Sequence, residues 1–363
     1  MKKLRIISLC LTLLLLTACG AQTEPAPRED SEPLRTVTDA SGRQVELPEE
    51  VTSVVCVGVG ALRYTTYLQA QDLVVGVEIG EQTATLAKPF SYFNRERFTA
   101  LPVTGDNGTT YDEDILRLAP DVIVAYLDGD TADSLYSRTG IPVVTIPLNE
   151  GMFDEAALTT LSLLGEVYHQ EDRAQELADY LLAAQADLDS RTRDIPEAEK
   201  PTVYVAGVSY KGAHGFEGTE AGYPPLAAIH ARNLADRTGQ SDPFSIDTEQ
   251  VLQWDPDVIF LDWNGMGLVQ ENYAVNPGFY NSLSAVEAGR LYAQISFRSS
   301  ATNAELALAD AYYAGTVLYP EQFAGIDPAE KFNEIFRVML GVEDAYSQYA
   351  AQGYTFTTLK LGE

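Results

Sequence analysis

The sequence predicts an α/β protein in which two parallel-sheet lobes are joined by one long helix. Three observations carry that expectation: a displaced internal repeat, a series of short continuous apolar runs separated by helical stretches, and a long helix-forming segment between the two halves. The repeat is the most informative. Glu113-Asp114-Ile115-Leu116-Arg117-Leu118-Ala119-Pro120-Asp121-Val122-Ile123-Val124 returns 136 positions later as Glu249-Gln250-Val251-Leu252-Gln253-Trp254-Asp255-Pro256-Asp257-Val258-Ile259-Phe260, with six of the twelve positions identical. Each copy reads as a short amphipathic helix, a Pro-Asp break and a buried strand.

In chain order, residues 1–18 read as an export signal. Lys2, Lys3 and Arg5 precede an apolar run, Ile6 to Leu16, that is too short to span a bilayer. It ends in Leu16-Thr17-Ala18-Cys19-Gly20, small residues before a cysteine, so Cys19 is the expected lipidation site. Residues 19–35 are a tether. Ala21 to Pro33 holds three prolines, four acidic residues and no aromatic side chain, a composition with too little apolar surface to fold.

The first lobe is expected over 36–165. It opens with a hairpin, Thr36 to Leu47, turning at Ser41-Gly42. The apolar runs Val54 to Val57, Leu73 to Val77, Val122 to Tyr126 and Val143 to Ile146 follow. Continuous apolar strands between helices point to parallel sheets covered on both faces. Cys56 stands in one of these runs as a buried, inert thiol.

The joining helix is expected within 166–196. Glu171 to Arg193 contains no Gly or Pro and would extend roughly 35 Å as one helix. Ala174, Leu177, Ala178, Leu181, Leu182 and Leu188 recur at helical spacing, and Ile195-Pro196 ends the segment. The second lobe is expected over 197–363, with strands at Thr202 to Val208, Val258 to Asp262 and Leu291 to Ile295. A single rigid rod between lobes implies a cleft with little hinge motion.

Taken together, Val37-Thr38-Asp39-Ala40-Ser41-Gly42-Arg43, Val54 to Leu68, Pro120-Asp121-Val122-Ile123, Thr139-Gly140-Ile141-Pro142-Val143-Val144 and the helix around Glu166 to Leu181 resemble one known family. It is the Fe³⁺-siderophore, haem and cobalamin group of periplasmic binding proteins, class III, and the resemblance covers the chain beyond the tether. Gly207 to Gly215, Tyr223-Pro224-Pro225, Ala231-Arg232-Asn233 and Ser299 to Pro320 narrow it to the iron-complex subgroup. The resemblance implies a monomeric solute-binding protein, not an enzyme and without a cofactor, that delivers its ligand to an ABC permease and ATPase. It implies a small anionic metal chelate such as a ferric siderophore. Corrinoid or haem, molybdate or tungstate, and a sensor role outside transport are the alternatives. Where the family carries a permease-docking glutamate in the first lobe, this chain has Arg63. In the second lobe the resemblance points to Glu217 and Glu220.

Ligands of open parallel sheets bind beyond the carboxyl ends of the strands. Gly60 and Arg63 follow the first strand, where glycines admit close backbone approach and a helix start offers free N–H groups. Tyr92 stands in an aromatic loop suited to stacking. Tyr126 and Trp263 end the two repeated strands. Tyr210, Lys211 and His214 lie in a Gly-rich loop after the strand ending at Val208, and Phe297 and Arg298 close a third strand of the second lobe. Arg63, Lys211 and Arg298 are therefore expected to converge on the cleft and to favour an anion.

Composition excludes other classes. The formal charge of −29 argues against nucleic acid. Three histidines, His169, His214 and His230, are too few and too scattered for a free transition-metal site. Neither a Gly-x-Ser-x-Gly elbow nor a Walker loop is present.

Overall fold

The computed structural model describes residues 33–148 and 151–362; the signal, Cys19 and nearly all of the tether lie outside them. Strands β1 (Leu34–Thr38) and β2 (Gln44–Pro48) form the antiparallel hairpin. Asp39 pins its turn, accepting from the backbone N–H groups of Ser41 and Arg43 at 3.0 and 2.9 Å and from the Arg43 guanidinium. Strands β3 (Val54–Val57), β4 (Val74–Glu78), β5 (Val103–Asp106), β6 (Thr109–Thr110), β7 (Val122–Ala125) and β8 (Val143–Thr145) make a sheet of order β6-β5-β4-β3-β7-β8. All its pairs are parallel except β5 with β6.

The second lobe is built on β9 (Thr202–Ala206), β11 (Arg232–Asn233), β13 (Val258–Asp262) and β14 (Leu291–Gln294), in order β11-β9-β13-β14 and parallel throughout. A small antiparallel pair, β10 (Gly218–Glu220) with β12 (Pro243–Ser245), stands beside it.

The repeat does the same physical work twice. The helices Asp112–Leu118 and Thr248–Trp254 each end on a residue in the left-handed region, Ala119 at φ 45° and Asp255 at φ 43°. Proline then prevents continuation. Asp121 accepts from the backbone N–H groups of Thr52 and Ser53 at 2.8 and 2.9 Å and from both hydroxyls. Asp257 accepts from the N–H and hydroxyl of Thr202 at 2.8 and 2.7 Å. Each aspartate thus staples the root of its strand to the neighbouring one, which sets β7 against β3 and β13 against β9.

Helix Glu155–Tyr168 ends at His169, again left-handed at φ 52°, so that Glu171–Thr192 is a separate helix. Its buried face, Ala174, Leu177, Leu181, Ala184 and Leu188, belongs to one hydrophobic core containing residues of both sheets. Three C-terminal helices, Ala304–Leu318, Pro328–Leu340 and Ala345–Ala351, contribute to that same core rather than to the second lobe alone. The Tyr349 hydroxyl reaches back to the carbonyl of Leu86 at 2.7 Å, and the Arg173 guanidinium to the carbonyls of Tyr67 and Val338. Cys56 is buried, 3.4 Å from the Thr65 hydroxyl, and burial pushes its thiol up to about 12.

Candidate ligand-binding site

Strand order reverses at β3, whose neighbours β4 and β7 lead to opposite edges of the sheet, and crevices for ligands form at such points. Beyond β3 the chain turns through Gly58 (φ 74°) and Gly60 (φ 88°) into helix Ala61–Tyr67. A side chain at Gly58 would be strained in that region and would meet the Tyr126 carbonyl at 3.3 Å. These glycines bring the backbone against a cavity of about 220 Å³ at the carboxyl ends of β3, β4 and β5.

Arg63 lines this cavity and is 1% exposed. Its Nε donates to Asn303 Oδ1 at 3.1 Å, and one terminal nitrogen donates to the carbonyls of Ser299 and Ser300 at 2.9 and 2.6 Å. Phe90 lies under the guanidinium at 5.0 Å. The other terminal nitrogen, Nη1, is buried without a hydrogen-bond partner. All the acceptors Arg63 hydrogen-bonds are neutral; the buried Glu305 carboxylate interacts with its charge but forms no direct ion pair with it. Such a charge is costly unless something compensates it.

Asn303 holds this arrangement together. It is fully buried, and its amide nitrogen donates to the carbonyls of Ala87 and Phe297 at 3.1 and 2.9 Å. Residues Ser300 and Ala301 of the same loop have positive φ, 52° and 65°. Side chains from strand ends complete the lining. Glu78 ends β4 and accepts from the Gly108 N–H at 2.6 Å; burial pushes its carboxyl up, partly offset by that bond and one from Gly58. Lys88 donates to Glu81 Oε1 at 3.2 Å and to the Gly80 carbonyl at 3.1 Å, while Glu81 Oε2 is buried without a partner. Asp106 ends β5 at the exposed rim.

The second lobe treats its strand ends differently. Asp262, at the end of β13, accepts from the Ser296 hydroxyl and from the Asn264 N–H at 2.9 Å, and burial pushes its carboxyl up to about 7. Asp310 accepts from the Ile295 N–H at 3.1 Å, and burial raises its carboxyl well above the usual range. Arg298 binds both carboxylate oxygens of Glu220, which is 4% exposed. That pair is closed upon itself.

The three cations expected to converge do not. Arg63 lines the cavity, Arg298 is held by Glu220, and Lys211 is exposed beside a separate hollow of about 610 Å³. Tyr210 and His214 stack at 4.0 Å with rings 2° from parallel, and Ser245 contacts both, at 3.0 Å from the Tyr210 hydroxyl and 3.4 Å from His214 Nδ1. Glu217 lies near His214 Nδ1 at 3.9 Å, with its side chain 41% exposed. Tyr92 packs on Phe93 and Arg95 and its hydroxyl accepts from Gln352, while Phe90 of the same turn takes the cavity. Tyr126 is exposed beside Ser41 and Ile146. Trp263 packs edge-on against Tyr354 with its indole N–H unpartnered, and Phe297 is buried against Tyr223. Gly60 lines the cavity. Glu78, Glu81, Lys88 and Asp106 were not foreseen; the signal for Glu78, Glu81 and Asp106 is position at or just beyond the ends of β4 and β5, β5 has no apolar run to announce it, and Lys88 precedes the helix Pro89–Tyr92.

Among the described residues no group of three or more His, Cys, Asp or Glu is placed to hold a metal ion, and no helix is long and apolar enough to cross a membrane. Two parallel-sheet lobes share a common core, with a small cavity at the strand ends of the first. A family model described as periplasmic binding protein matches residues 64–294, and the chain belongs to that family. It is accordingly a solute-binding protein that works outside the cytoplasm, of the class III group, and not an enzyme. The molybdate-binding protein MolA of Haemophilus influenzae is 23% identical over 339 residues, 84% of this chain and 90% of that protein. Its molybdate-bound structure aligns with TM-score 0.64 at 19% identity over 85% of this chain and 98% of that one. A periplasmic solute-binding protein from Veillonella parvula aligns with TM-score 0.69 at 17% identity, covering 87% of this chain and 96% of its own.

Proposed function

We propose that this protein captures a compact anion in the Arg63 cavity and hands it to an ABC importer, from a position anchored to the membrane through Cys19. The observation that carries the reading is Arg63: a fully buried guanidinium with neutral partners and one unpartnered nitrogen, lining a cavity of about 220 Å³. An anion there accepts the free N–H groups, a charge-assisted interaction with a planar fork. The volume lies below the roughly 300–1,000 Å³ of typical drug-sized ligand sites, so an oxyanion suits it better than the ferric siderophore expected from the sequence. The MolA relative, named for molybdate, supports the same direction.

Thermal unfolding of the purified protein with molybdate, tungstate, phosphate or sulfate tests this. A ligand at a hundred times its dissociation constant stabilises by about 2.7 kcal/mol, and Arg63→Met should lose that response. A response that survives in the variant removes Arg63 from the site. Cys19→Ser should release the protein from the membrane fraction if the anchor is as proposed. A second reading, a metal chelate, rests on the hollow of about 610 Å³ beside Lys211 and the stacked Tyr210 and His214. Stabilisation by a ferric chelate that depends on Lys211 and not on Arg63 would favour it.

A further inference from the structure

Two residues that line the cavity carry, between them, an unmet acceptor and an unmet donor, both buried. Glu81 Oε1 is taken by Lys88, whereas Oε2 is buried and has no partner. A carboxylate only accepts, so a ligand satisfies Oε2 only by bringing a hydrogen. Opposite in kind, Arg63 Nη1 has N–H groups to give, and Lys88, with two of its three donors engaged, has one more. The charged groups lining the cavity are Arg63, Lys88, Glu78, Glu81 and Asp106, three carboxylates against two cations. A tetrahedral dianion without a proton placed there would set an oxygen lone pair against Glu81. A ligand with both acceptor oxygens and an O–H meets every open group.

Resting on the anion-capture reading and narrowing it, we propose that the site selects a compact tetrahedral oxyanion that keeps a proton at neutral pH, hydrogenphosphate or hydrogenarsenate being the type. Its unprotonated oxygens take the Arg63 and Lys88 donors, and its O–H donates to Glu81 Oε2. Sulfate and molybdate carry no proton at neutral pH and leave Glu81 facing an oxygen. Sites built around a ligand hydroxyl reject analogues that lack it strongly, by roughly 10⁴–10⁵ in favourable cases.

Calorimetric titration of the purified protein with phosphate, arsenate, sulfate and molybdate at fixed ionic strength is the test. The expected result is binding of the first two, with the last two at least about a hundredfold weaker. Glu81→Gln, which presents an amide N–H in nearly the same shape, should narrow or invert that preference by weakening phosphate and strengthening sulfate and molybdate. Sulfate or molybdate binding within about tenfold of phosphate overturns the inference while leaving anion capture standing. So does a Glu81→Gln variant that weakens all four alike. Silence from all four anions overturns the capture reading itself. Should the variant not fold, the wild-type order of affinities decides the matter alone.

Discussion

The two lobes share a plan and differ where their strands end. In both, a helix stops on a left-handed residue, proline follows, and an aspartate ties the next strand to its neighbour. At the carboxyl ends the resemblance stops. In the second lobe Glu220 neutralises Arg298, and Ser296 and Asn264 serve Asp262, while Asp310 Oδ2 and the Trp263 indole N–H are buried without partners. The first lobe leaves Arg63 Nη1 and Glu81 Oε2 without partners around a cavity. A shared local plan therefore carries an ion-paired arginine in one lobe and an arginine bonded to neutral acceptors in the other, a difference of a few side chains.

The largest expected effect comes from breaking the ion pair. Glu220→Ala leaves Arg298 beside the core without its counterion, and breaking such a pair costs about 3–5 kcal/mol. Urea unfolding should show that loss, and anion affinity should be unchanged. A fall in affinity with stability intact would erase the contrast between lobes. Next in size is a pH effect at Asp262. Its folded carboxyl titrates near 7, against 3.8 when unfolded, so the native state holds the extra proton between those values. Stability from this group is complete below the unfolded value and declines as pH rises toward 7, by a few kcal/mol. Asp262→Asn should lack that decline, so the variant gains on the wild type between about pH 4 and 7. Parallel slopes for both proteins would remove Asp262 as the cause.

Smaller still is the matched pair at the repeat. Asp121→Ala frees four donors and Asp257→Ala two. Losses of about 2–3 kcal/mol for the first and about 1–2 for the second are expected, since hydrogen bonds to charged groups are each worth roughly 1.5–3 and partly exposed donors recover water. Denaturant midpoints with unchanged slopes would report it. Equal losses would mean that the two copies are anchored elsewhere.

The repeat was legible because each of its signals is local: the stop, the proline and the aspartate lie within three residues of one another. The long helix announced itself likewise through composition. The cavity did not, because its walls are neighbours only in space. Glu78, Glu81 and Asp106 follow strands whose order is set by pairing, and β5, Val-Thr-Gly-Asp, has no pattern to mark it as a strand. Arg63 was legible as unusual, a cation in the first turn of a helix, but its partners stand 236 to 240 positions away. Arg298 likewise meets a glutamate 78 residues distant, so its neutralisation left no trace in local sequence. The exchange of Tyr92 for Phe90 is one of direction only, decided by which face of a four-residue helix, Pro89–Tyr92, turns inward.

The bond from Tyr349 to the Leu86 carbonyl spans 263 positions. Leu86 stands two residues before Lys88, so one wall of the cavity is braced from nearly the opposite end of the chain. Contacts of such separation form only after the entropy of closing a long loop has been met. The wall that Lys88 belongs to is therefore closed only when the final helix is in place. A chain interrupted before its last turn keeps most of its core residues yet lacks the brace behind Lys88.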